Sequence, residues 1–318
     1  MACAAGHAAF SGHPVSARPI HGVAVDAGSG LAAAIRAARG AAAREDDLFR
    51  FKRAVLTTLG PGATTVLVDA ALGPRLLPHY PPGCAPMMAF EADVYRISND
   101  DRITVLPDDL RVADYPGLGV GFLKFFLWFA PDDDPALNAR KCALVERVGA
   151  ECAAAGVSFL MEPLVYHPTI ATGTAAFAAI KPDLVRRAVE VFSEPRFRVT
   201  TLKIEVPVDL DHVAGWGAPQ RSRAEALAAL RSVTSAARGL RIVFLSAGVP
   251  FDRFEAALLL ARASGARFDG FMCGRALWSE GVAVFGDRGE AALTDWLMTT
   301  GRARLARLVA AMEDSHVA

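Results

Sequence analysis

The chain is poor in cysteine, has no clustered histidine, and carries no excess charge of either sign. Its five cysteines, Cys3, Cys84, Cys142, Cys152 and Cys273, are odd in number, scattered, and never spaced C-x-x-C. That argues against a disulfide framework or a dithiol redox pair and fits reduced thiols in a cytoplasmic setting. The seven histidines, His7, His13, His21, His79, His167, His212 and His316, form neither H-x-H nor H-E-x-x-H. No imidazole cluster is therefore available for a zinc-dependent mechanism, and neither a metal nor another cofactor is expected. Lys plus Arg equals Asp plus Glu at 34 each, which leaves no overall field to attract nucleic acid or an anionic membrane. Apolar runs are broken by charge or glycine before the ~18 to 20 residues of a membrane span. The first twenty residues lack a basic start leading into an apolar block, so no secretory leader is expected.

What the chain does have is apolar material in a regular order. Of its 318 residues, 53% are hydrophobic and 21% charged, enough for a large core and too little polarity for disorder. Short apolar runs fall at His21–Asp26, Thr65–Asp69, Pro86–Glu91, Val120–Trp128, Val157–Glu162, Thr200–Val206, Arg241–Ala247 and Phe268–Gly274. Helical patterns separate most of them: Arg44–Leu59, Pro135–Ala155, Pro182–Phe192, Arg223–Ala237 and Phe251–Ala263. Leu76–Pro86 reads as loop, and Gly289–Met298 and Ala303–Met312 close the chain as extra helices. Eight strand-like runs alternating with helices predict an α/β fold, a single (β/α)8 TIM barrel with extra C-terminal helices. One domain over 1–318 is expected, with an irregular N-terminal segment over 1–19.

Active sites of such barrels lie at the carboxyl ends of the strands. Here those ends carry Asp26, Asp69, Glu91, Lys124, Glu162, Lys203 with Glu205, Ser246, and Gly274 with Arg275. One acid at a strand end is often a helix cap, but a ring of polar groups calls for another reason. In Thr201–Pro207, strand alternation puts Lys203 and Glu205 on one face and apolar side chains on the other. A buried lysine is costly unless paired or neutral, and desolvation turns a neutral amine into a nucleophile toward carbonyls. A structural Lys203–Glu205 ion pair is the plain alternative. Alternation also turns Lys124 and Glu162 inward, and with strands ~4.8 Å apart Lys124, Glu162 and Lys203 can converge. Such a pocket either does imine chemistry, with the carboxylate moving protons, or is a buried Lys–Glu–Lys network that holds the barrel together.

The last two strand ends suggest an anion. Ser246, Ala247 and Gly248 offer approachable backbone N–H groups, and Gly274 and Arg275 add a small residue and a guanidinium. Loops after strands seven and eight are the usual phosphate cradle of this barrel, and a sulfonate has related chemistry. Gly117-x-Gly119-x-Gly121 precedes a strand and has the wrong spacing for a dinucleotide fingerprint, so it reads as loop. Asp132-Asp133-Asp134 precedes a helix and reads as a cap, not a calcium site.

Five stretches in order resemble the class I tagatose 1,6-bisphosphate aldolases: Phe159–Leu164, Phe192–Phe197, Leu202–Pro207, Leu245–Val249 and Cys273–Trp278. The likeness runs from about Val23 to the end of the chain, and sulfofructose-phosphate aldolases look similar. The resemblance implies that Lys203 forms a Schiff base, Glu162 is the acid/base and Lys124 supports them. It further implies that Ser246, Gly248 and Arg275 hold a phosphate and that Asp26 contacts substrate hydroxyls. After that Asp the family typically reads Gln-Arg-Gly-Ala, whereas this chain has Ala27-Gly28-Ser29-Gly30. An amide and an arginine are missing, so the far end of a bisphosphate would meet different groups here.

The expected function is a metal-independent class I aldolase that cleaves a ketose phosphate, tagatose 1,6-bisphosphate-like, to dihydroxyacetone phosphate and an aldehyde. Its partner is a small-molecule sugar phosphate or sulfonate, and association into a homo-oligomer stays open. A phosphosugar isomerase or decarboxylase would use Glu162 without a covalent adduct. A non-catalytic sugar-phosphate-binding paralogue would bind and turn nothing over.

Overall fold

The computed structural model describes residues 18–313. Most of the segment expected to be irregular, and with it Cys3, His7, His13 and His316, lies outside the described residues. Eight parallel strands close in sequence order into a barrel: β1 (Ile20–Ala24), β2 (Thr65–Val68), β3 (Ala85–Ala89), β4 (Phe122–Phe129), β5 (Ser158–Val165), β6 (Thr201–Glu205), β7 (Arg241–Leu245) and β8 (Gly270–Cys273). Alternation sorts the side chains into two cores. Ile20, Ala24, Leu67, Met87, Leu160, Val243 and Met272 fill the barrel, while Val23, Leu123, Phe125, Phe159, Leu202, Ile204 and Phe244 pack outward against the helices.

Helices α1 (Ser29–Arg39), α2 (Asp47–Leu59), α3 (Gly73–Leu76), α4 (Pro135–Ala155), α5 (Ala175–Phe192), α6 (Arg223–Ser235), α7 (Phe251–Ala263), α8 (Arg275–Trp278), α9 (Gly281–Trp296) and α10 (Arg302–Glu313) surround the strands. Local chemistry sets several starts. Asp134 caps α4 by accepting from Leu137 N at 2.8 Å, with Pro135 in the first turn, so the Asp run acts as the expected cap. Ser222 and Glu225 form a capping box at α6. Among the described residues no helix is long and apolar enough to cross a membrane.

Three expectations change. The helix expected from Pro182 starts at Ala175, capped by Thr174, and runs through the proline. Pro182 has no N–H for Ala178 O, which instead accepts from the Arg221 guanidinium at 2.8 Å. The stretch expected as loop after Leu76 opens with a 3-10 turn over Leu77–His79, following the single turn of α3. The expected Gly289–Met298 helix starts earlier, at Gly281, and kinks at Gly289. Helix α1 was not apparent from the sequence because its Ala- and Gly-rich start carries no capping side chain of its own.

Candidate active site

The strand register assembles the floor of the site. Phe126 pairs with Glu162 across β4 and β5, and Leu160 pairs with Thr201 across β5 and β6. Two residues further on, that second pairing sets Lys203 beside Glu162. Lys203 Nζ lies 2.9 Å from Glu162 Oε1, and Lys124 Nζ lies 2.8 Å from Oε2 of the same carboxylate. Lys124 also reaches Asp26 Oδ2 at 3.0 Å and bonds Glu91. Glu91 is held from its other oxygen by Phe126 N at 3.2 Å. Three carboxyl groups and two lysine amines therefore meet in a nearly dry space: side-chain exposure is 5% for Lys203, 3% for Lys124 and 8% for Glu162.

The charges sort themselves by depth and partner. Burial pushes the Asp26 carboxyl up, but Lys124 and then Lys203 outweigh it and hold the group well below the usual carboxylate range. Burial likewise opposes the charge of Lys124, and Glu162, Glu91 and Asp26 overcome it, so this ammonium keeps its proton far above its ordinary value. For Glu91 burial wins against the pull of Lys124 and pushes the carboxyl up to about 7.

Above the floor, Ser246 to Val249 form a tight turn. Val249 N donates to Ser246 O at 3.0 Å, and Ala247 and Gly248 both adopt positive φ, 49° and 79°. Positive φ at both central residues is the pattern of a type I′ turn, and it is strained for the alanine. A side chain at Gly248 would come within 2.7 Å of Arg275 Cζ, so the bare glycine lets the guanidinium lie across the turn. Arg275 is exposed and has no ion pair among the described residues. Trp278 Nε1 donates to Ala24 O at 2.8 Å and ties this corner to β1. Ser246 is buried and its side chain hydrogen-bonds with Cys273, whose thiol burial pushes up to about 12.

All nine expected residues, Asp26, Lys124, Glu162, Lys203, Ser246, Ala247, Gly248, Gly274 and Arg275, line one cleft of about 1850 Å³ at the carboxyl ends of the strands. Residues 21–280 match the DeoC/LacD family aldolases. The chain belongs to this aldolase family. This aldolase is 37% identical over 245 residues to the tagatose 1,6-diphosphate aldolase of Staphylococcus aureus strain MSSA476, covering 75% of this chain and 74% of that one. To the enzyme of the same name from Listeria monocytogenes serotype 4b it is 30% identical over 300 residues, covering 94% and 88%. The fold is shared with Plasmodium falciparum fructose-bisphosphate aldolase at a TM-score of 0.68 and 14% identity, covering 93% and 91% of the two chains. An archaeal fructose-1,6-bisphosphate aldolase, with its catalytic Lys covalently bound to a carbinolamine intermediate, superposes at a TM-score of 0.57, with 12% identity and 90% and 93% coverage.

Two members of the polar rim leave the aldolase's central cluster. Asp69 is bound by the fully buried Lys52 of α2 and accepts from Leu72 N at 2.9 Å. Glu205 accepts from Val165 N at 3.1 Å and pairs with Lys181 of α5 at 3.4 Å, so the Lys203–Glu205 pair does not form. Glu91 moves the other way. It belongs to the polar rim expected from the sequence but not to the expected catalytic residues, and it is a direct partner of Lys124. Among the described residues no group of three or more His, Cys, Asp or Glu is arranged to hold a metal ion.

Proposed function

We propose that this aldolase works through a Schiff base at Lys203 and cleaves a ketose phosphate to dihydroxyacetone phosphate and an aldehyde. The observation that carries the proposal is the Lys203–Glu162 contact of 2.9 Å inside the cleft that also holds the Arg275 turn. An amine must lose a proton before it attacks, and Glu162 is the acceptor in reach. Neutral Lys203 then adds to the C2 carbonyl of the ketose, and loss of water leaves an iminium that accepts electrons. Glu162, through a water, takes the proton of the C4 hydroxyl. The C3–C4 bond breaks, the aldehyde leaves, and the bonding pair becomes the enamine. Reprotonation at C3 and hydrolysis release dihydroxyacetone phosphate and restore the lysine.

The remaining groups bind and steady. Lys124 keeps its charge and holds Glu162 from the oxygen opposite Lys203, which fixes the direction in which the acid/base works. Asp26, kept ionised, is positioned to accept from substrate hydroxyls. The guanidinium of Arg275 and the N–H groups of the Ser246–Gly248 turn receive the phosphate on C1. Relatives named tagatose 1,6-diphosphate aldolase and the covalent lysine intermediate of the archaeal enzyme support this reading.

Oxygen exchange tests it. Imine formation at C2 must release the carbonyl oxygen of dihydroxyacetone phosphate to water, so protein mixed with 18O-labelled ketone should wash out the label. Absence of washout above the spontaneous rate, or undiminished washout in Lys203→Met, would reject the Schiff base. An isomerase, a decarboxylase or a purely binding paralogue would leave the label in place.

A further inference from the structure

The floor of the cleft leaves its outer wall unexplained. Strands β4 and β5 are eight residues long, whereas the other six have four or five. Trp128 follows Lys124 by four residues and Tyr166 follows Glu162 by four, so both rings stand ~13 Å above the floor on the same faces. They meet edge to face at 6.4 Å. The Arg102 guanidinium lies over both, 4.1 Å from the Tyr166 ring centre and 5.7 Å from that of Trp128. All three residues line the cleft.

This wall is built to stay in place. Fully buried Lys141 donates to the Tyr166 hydroxyl at 2.9 Å, and that hydroxyl donates to Asp133. The segment carrying Arg102 is anchored to β4 by buried Thr104, whose Oγ1 donates to Phe126 O at 2.6 Å. Arg102 adopts φ of 50°, and its N–H donates to Ser98 O at 3.0 Å. Nearby carboxylates have closer partners: Asp101 pairs with Arg140 at 3.7 Å and Asp108 with Arg96 at 3.5 Å, while Asp133 accepts from Tyr166 and feels the Arg102 charge only through space. Arg102 has no ion pair and no guanidinium hydrogen bond among the described residues. Stacking uses the face of the guanidinium and leaves its N–H edge, the part that matches an oxyanion, for a ligand.

The corner between β1 and α1 offers no such group. Ala27 and Gly28 have no side-chain donor, and the Ser29 N–H is taken by Asp93. A side chain at Gly28 would meet Asp93 at 2.5 Å, and one at Gly30 would run into Tyr95. The loop between β3 and β4 lies against that corner through Asp93 and Tyr95.

We infer that Arg102, held on the Trp128–Tyr166 wall, binds a terminal oxyanion at the far end of the sugar and so selects ketose phosphates with a second anionic group. This rests on the aldolase reading for the placement of C1 at Arg275, but its test does not. Hexitol 1,6-bisphosphate and hexitol 1-phosphate lack the ketone, so calorimetric titration of the whole chain reads binding without imine chemistry. The bisphosphate should bind roughly 10- to 100-fold tighter than the monophosphate. In Arg102→Met that ratio should fall close to one with hexitol 1-phosphate affinity unchanged, which also shows that the variant is folded. Arg102→Lys should fall between, because an ammonium keeps the charge but loses the planar fork. A hexitol 1-phosphate ending in a sulfonate tells the two oxyanions apart, and preference for either over the neutral terminus supports the assignment. Equal affinities in the unaltered chain, or an undiminished ratio in Arg102→Met, overturn it. Failed oxygen exchange with this preference intact would reject only the Schiff base.

Discussion

Glu162 divides its carboxylate between two lysines, Oε1 at 2.9 Å from Lys203 Nζ and Oε2 at 2.8 Å from Lys124 Nζ. Removing either lysine therefore asks a different question. One carries the proposed chemistry, and the other holds the charges in balance.

Glu162→Gln keeps the shape and removes the base. Cleavage of a ketose bisphosphate should slow by roughly 10²- to 10⁴-fold, with KM changed far less. Steady-state kinetics check this. A rate within a few-fold of the unaltered enzyme would take the acid/base role from Glu162.

Lys124→Met leaves buried Glu91 and Glu162 and half-buried Asp26 with Lys203 as the one lysine among them. The loss in unfolding free energy should be about 3–5 kcal/mol at neutral pH, read from urea midpoints. It should shrink in mild acid, where the orphaned carboxyls take up protons. An equal loss at both pH values would show that the charges are not the cause.

The fold was legible where side-chain periodicity of two carries the information. Lys124, Glu162 and Lys203 turn inward and meet as expected because each sits inside a strand whose faces are fixed by greasy neighbours such as Leu123, Met161 and Ile204. Past the strand ends that logic stops. Asp69 and Glu205 belong to the polar rim at the strand ends, but their partners, Lys52 and Lys181, come from helices that no strand pattern can locate. Glu91 was visible on the rim, yet its bond to Lys124 depends on how the residues after β3 bend. Arg102 lies in a long irregular link between β3 and β4, where no periodicity tells which way a side chain faces.

Glu91 gives the protein a pH signature. Its carboxyl titrates at about 7 when folded, against an ordinary value of 4.5, because burial outweighs Lys124. The folded state thus holds a proton that the unfolded chain gives up, so this contribution is complete below 4.5 and is lost as pH rises through 7. Between about pH 5 and pH 8 it should cost up to about 3 kcal/mol. Glu91→Gln should remove that slope from the pH dependence of urea unfolding. A slope unchanged by the substitution would assign it to another group.

Gly248→Ala adds a methyl group where φ is 79° and the Arg275 Cζ is 2.7 Å away. KM for the ketose phosphate should rise roughly 10- to 100-fold, as in Arg275→Met, with a smaller effect on kcat. The double variant should be little worse than Arg275→Met alone, since both changes disable one contact. Additive losses would separate the turn from the guanidinium.

The central claim is an imine at one lysine, and reduction captures it directly. Protein incubated with dihydroxyacetone phosphate and borohydride, digested and mapped by mass spectrometry, should carry a single reduced adduct on Lys203, absent in Lys203→Met. An adduct on Lys124 or elsewhere, or none while cleavage proceeds, would contradict the account.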